Sequence, residues 1–102
     1  MDKERWQKLS LAEQMGNLGS EVSRLLYFEK IDDRENKKKA VERSLELLDL
    51  TIADSRWQFR LKEFLRLREV IADFFNNGRI FDISAESLND YFLPFALKAR
   101  SL

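Results

Sequence analysis

The stretch that decides the fold is Ser10–Lys30, SLAEQMGNLGSEVSRLLYFEK. Its opening Ser10-Leu11-Ala12-Glu13 is a capping box, in which the serine hydroxyl and the glutamate carboxylate each satisfy a backbone amide that a helix start leaves without a partner. From there Leu11, Met15, Leu18, Val22 and Leu25 recur at steps of three and four, the period of one helical face. Beside that stripe runs a row of small residues, Ala12, Gly16, Gly19 and Ser23. Two glycines inside a helix cost about 1 kcal/mol each relative to alanine, so the row predicts close approach of a neighbouring backbone. That phasing favours packing over a nucleic-acid-clamping GXXG loop.

Working outward, Asp32-Asp33 reads as a turn, and a helix over 34–53 follows with Val41, Leu45, Leu48 and Ile52. Its apolar arc is wide, which predicts burial on two sides. Asp54-Ser55 breaks it and caps a third long helix over 56–76, carrying Trp57, Leu61, Phe64, Leu65, Ile71 and Phe75 and stopping at Asn76-Asn77-Gly78. Ser84 caps the last helix, 85–100, with Ile83 and Leu88 placed as a hydrophobic staple. Pro94 leaves the Asp90 carbonyl without an amide and predicts a kink. With the first helix over 11–31, short connections force antiparallel neighbours. The expected fold is all-α: a single domain over 1–102, an antiparallel four-helix bundle. Residues 2–9 are expected as a loose turn, with Trp6 and Leu9 closing one end of the core.

Composition narrows the chemistry. The 102 residues contain no histidine and no cysteine, which removes imidazole proton transfer, thiolate nucleophiles and the usual zinc and iron–sulfur ligands. Ser/His/Asp and Cys/His triads, the R-x-x-x-x-H motif of small helical ribonucleases and the E-x-x-H pairs of di-iron bundles cannot be built. Lys+Arg and Asp+Glu both total 18, so nothing in the net charge indicates a nucleic-acid partner. No apolar run approaches the roughly 18 residues of a membrane span, and no signal peptide is read. The expectation is a cytoplasmic protein without a membrane partner or cofactor.

Charges on apolar faces carry sharper information. Arg68 lies among Phe64, Leu65, Ile71 and Ala72, and Asp49 among Leu45, Leu48, Ile52 and Ala53. A buried charge needs a partner. Treating the turn as a mirror centred on 54–55 predicts the interhelical pairs Arg68–Glu42 and Asp49–Arg60. Lys37, Lys38 and Lys39 read as a solvated face, and Arg56, Arg60, Lys62, Arg66 and Arg68 give the third long helix a basic bias that a nucleic-acid-associated accessory protein would use.

Glu46-x-x-Asp49 resembles the second half of the magnesium site of all-α nucleotide pyrophosphohydrolases of the MazG type, whose other half is E-x-x-E. Here Glu21 stands alone with Arg24 at the partner position. An alternative function follows from that resemblance, magnesium-dependent nucleotide hydrolysis by Glu21, Glu46 and Asp49. The aromatic load favours a different reading. Tyr27-Phe28, Phe74-Phe75 and Tyr91-Phe92 are adjacent pairs whose members point about 100° apart on a helix. Tyr27, Phe28, Phe74, Tyr91 and Phe92 are therefore candidate interface residues, and the leading expectation is a non-catalytic interaction module, homodimeric or docked on another protein.

Gly19-Ser20-Glu21-Val22 with Arg24, Leu45–Asp54 (LELLDLTIAD), Arg60-Leu61-Lys62-Glu63 with Arg66-Leu67-Arg68-Glu69-Val70, and Tyr91-Phe92 with Pro94-Phe95 resemble the pattern of a family of short prokaryotic all-helical proteins. The resemblance runs from about Trp6 to Arg100, departs at Ser55-Arg56-Trp57 where relatives have a more polar turn, and implies a helical fold without an assigned reaction, cofactor or partner.

Overall fold

The computed structural model describes residues 2–77 and 80–101, and among them it is helical without strands. Five α-helices follow in order: α1 Lys3–Gln7, α2 Leu11–Lys30, α3 Arg34–Ile52, α4 Leu61–Ala72 and α5 Ala85–Arg100. Short 3₁₀ segments, Ser55–Arg60 and Asp73–Asn76, flank α4. No helix among the described residues is long and apolar enough to cross a membrane.

The caps set the boundaries. Ser10 Oγ accepts from the Glu13 amide at 3.1 Å while the Ser10 amide donates to Glu13 Oε1 at 3.0 Å, closing the capping box. Asp33 accepts from the Asn36 amide and starts α3. Ser84 does the same for α5 through the Ser87 amide. Asn77 closes the helical run after Phe74 in the left-handed conformation, at φ 61°; Gly78, expected to share that stop, lies outside the described residues.

The chain before α2 is more ordered than a loose turn. Asp2 caps α1, and Trp6 has no exposed surface. Its indole Nε1 donates to Thr51 Oγ1 at 2.9 Å, and Thr51 Oγ1 donates in turn to Gln14 Oε1 at 3.1 Å. Gln14 Oε1 also accepts from Trp57 Nε1, and Gln14 Nε2 donates to the Trp6 carbonyl and to Asp54 Oδ2. Arg56 completes the network, binding the Asp54 carboxylate and the carbonyls of Gln7 and Leu9. These bonds replace the first turn of the expected 56–76 helix by a 3₁₀ segment in which Trp57 leaves helical geometry, at φ −110° and ψ 16°. With its amides and carbonyls paired inside the protein, the corner is costly to disrupt.

α2 packs against α3 and α5, α3 also against α4, and α1 against α3. Leu18, Val22, Leu25, Val41, Leu48, Phe64 and Ile71 are fully buried in the shared core. At the end opposite Trp6, the side chain of Lys37 is buried rather than solvated, its Nζ donating to Asn77 Oδ1 at 2.7 Å and lying 3.7 Å from Glu29. Asp73, also buried, accepts from the amides of Ile80 and Phe81 and so fixes the chain on its way into α5. α5 continues through Pro94. The radius of gyration, 13.2 Å, is that of a compact chain of about 100 residues.

Gly19 meets the expected close neighbour, but it is a side chain. A Cβ there would stand 3.1 Å from the Phe92 ring, whereas one at Gly16 would meet nothing within 4 Å.

Candidate interaction surface

The three carboxylates of the hydrolase reading do not converge. Asp49 is committed to α4: its Oδ1 accepts from Arg68 Nε at 2.7 Å and its Oδ2 from the same guanidinium at 3.3 Å. Glu46 is exposed and shares a surface hollow with Glu21, Arg43 and Leu47. Glu21 lies 3.5 Å from Arg24, and its other oxygen is buried without a hydrogen-bond partner. Among the described residues no three acidic side chains gather where they could hold a metal ion.

The interhelical pairs differ from those expected. Arg68 pairs with Asp49 instead of Glu42, and Arg60 pairs with Glu63, at 2.8 Å, instead of Asp49; Glu42 is exposed. The 3₁₀ segment is the physical reason. Broken from helical geometry at Trp57, residues 55–60 form the corner between the two helices instead of the first turns of α4, which begins only at Leu61. The α3–α4 turn is therefore centred near 58–59, not 54–55, and the face of α4 is rotated. Leu67, Val70 and Phe74 point inward, while Leu65 and Phe75 are exposed. Arg68 leaves the core with them, so its pair with Asp49 is half-exposed, at 43% and 50% of the two side chains.

The basic bias of α4 and its preceding segment is likewise spent on carboxylates. Arg56 binds Asp54, Arg60 binds Glu63, and Arg66 lies 3.6 Å from Glu69 with its guanidinium over the Phe81 ring. Lys62 is exposed.

Of the candidate interface aromatics, Phe74 and Phe92 are buried and belong to the core. The angular argument holds within pairs: Tyr27 is exposed beside a half-buried Phe28, and Phe75 is exposed beside Phe74. Tyr91 is half-buried between α4 and α5, and its hydroxyl donates to Glu63. Burial and the neighbouring carboxylate push the Tyr91 phenol well above its ordinary range. Burial opposes the charge on Glu63, but the Arg60 guanidinium and the Tyr91 hydroxyl outweigh it and hold that carboxyl below its ordinary value. Next to this polar knot is an apolar hollow of about 280 Å³ lined by Leu67, Val70, Ile83 and Leu88.

The exposed apolar groups that sequence reasoning missed lie elsewhere. Phe59, Ile80, Leu93 and Leu97 each expose more than half of their surface. Leu93 and Leu97 are one helical turn apart on the outer face of α5, beside a hollow of about 250 Å³ whose floor includes Gly16, Gly19 and Ser20. Their four-residue spacing was the available signal, because Leu88, Phe92 and Phe95 occupy a different face of the same helix. Comparisons with protein-family models, with curated proteins and with solved structures find no match for this chain.

Proposed function

We propose that the chain is a non-catalytic helical interaction module that associates with a second copy of itself, built as an antiparallel four-helix bundle bent at Pro94. The contact of Lys37 with both Glu29 and Asn77 at one end, and of Gln14 with Thr51 and Asp54 at the other, supports the alternating run of α2, α3 and α4. The reading of function is carried by Leu93 and Leu97, adjacent on one helix face and 52% and 54% exposed. Apolar side chains grouped in this way favour a protein partner, since burying the exposed half of each contributes about 1 kcal/mol. Sedimentation equilibrium over a wide concentration range tests it: the expected result is reversible dimerisation, and a monomer at every concentration overturns self-association.

A further inference from the structure

The outer face of α5 carries four exposed residues in register: Asp90, Leu93, Leu97 and Arg100. Their spacing is three, four, three, the a/d spacing of a coiled-coil seam, and it reads the same in both directions. The chemistry, however, reverses from end to end, with an acid at one end, two leucines in the middle and a base at the other. A two-fold axis at the level of Phe95 inverts the stripe. Leu93 then meets Leu97 of the second copy, and Asp90 meets its Arg100, each contact occurring twice. Such a face is complementary to itself, as an isologous dimer interface requires.

We infer that two copies of this chain associate through antiparallel α5 helices, with the Leu93–Leu97 contacts as the apolar centre and Asp90–Arg100 as the charged rim. The inference rests on the self-association reading above and specifies its surface. Charge complementarity selects the second copy as occupant. Neither Asp90 nor Arg100 forms an ion pair among the described residues. A parallel arrangement would set Asp90 against Asp90 and Arg100 against Arg100, which like-charge repulsion disfavours. The open flank of Gly16 on neighbouring α2 leaves room for the incoming helix to lie close. A seam of four residues per copy is small against the roughly 800 Å² per partner of a standard interface, so association is reversible and concentration-dependent.

The test is a charge swap read by sedimentation equilibrium, with far-UV circular dichroism as the control for folding. Asp90→Arg places like charges opposite Arg100 of the second copy, and Arg100→Glu does so opposite Asp90. Each alone is expected to weaken dimerisation about tenfold or more. The double variant Asp90→Arg/Arg100→Glu restores the pairing with its signs exchanged and is expected to recover most of the wild-type affinity. Leu93→Gln/Leu97→Gln keeps the helix and is expected to give a folded monomer. A wild-type dimer indifferent to all of these substitutions overturns this interface while leaving self-association standing. A wild-type monomer at every concentration overturns both.

Discussion

The indole nitrogen of Trp6 donates to the hydroxyl of Thr51 across 2.9 Å, joining α1 to the last turn of α3 with both side chains fully buried. That bond makes a five-residue helix, too short to be stable alone, part of the core. Replacing Trp6 by alanine removes a large buried ring and empties its site. The expected cost is about 3–5 kcal/mol, measured by urea denaturation. A loss below about 1 kcal/mol would show that α1 is peripheral to the fold.

Asp54 answers for the pH dependence of the same corner. The Arg56 side chain above all, then the Arg56 amide and Gln14, hold its carboxyl at about 2 against the burial that opposes the charge. Its ordinary value is 3.8, so the folded protein binds this proton more weakly than the unfolded chain does. The resulting stabilisation is fully present above about pH 4 and is lost as the pH falls towards about 2. It amounts to about 2 kcal/mol, and Asp54→Asn should remove that part of the acid dependence when unfolding is followed from neutral to acidic pH.

Arg68 and Asp49 form the best-aligned pair between α3 and α4, but half of each side chain faces water. Solvent screening reduces such a pair to about 0–1 kcal/mol. Arg68→Ala is therefore expected to shift the denaturation midpoint only slightly, and a loss above about 3 kcal/mol would mean that the pair is buried.

The two glycines of α2 should respond oppositely to alanine. Gly16→Ala meets open space and gains helix propensity, so the folded protein is expected to be more stable by about 0.5–1 kcal/mol. At Gly19 the new methyl group would press on the buried Phe92 ring at 3.1 Å, and overpacking of about 1–3 kcal/mol cancels or exceeds the gain. Thermal unfolding of the two variants side by side checks the contrast.

Which parts of this arrangement were legible beforehand follows from the range of the interactions involved. Ser10, Asp33 and Ser84 act within three residues of themselves, so their caps located the starts of α2, α3 and α5 to within a residue. α1 was missed because five residues carry too little periodicity; Thr51 and Gln14, far away in sequence, hold it in place. The 3₁₀ turn was hidden for the same reason, since Asp54, Gln7 and Leu9 together dictate where Arg56 goes. Reading that turn as α-helix displaces the partner of Arg68 by two turns and the inward face of α4 by part of one. The candidate surface was readable only as a class: an excess of large apolar groups implied exposure, but the 52% and 54% of Leu93 and Leu97 depend on which side of α5 the core claims.

The position of α5 also bears on how the molecule loosens. Its backbone rests mainly on α2, while α2 is held between two neighbours and α3 likewise touches both α2 and α4. Helices held from one side, α5 on α2 and α4 on α3, are therefore expected to open before α2, which is held from two. Deuterium uptake is expected to be faster in the amides of 85–100 than at the centre of α2, and formation of the proposed dimer will slow the former without changing the latter.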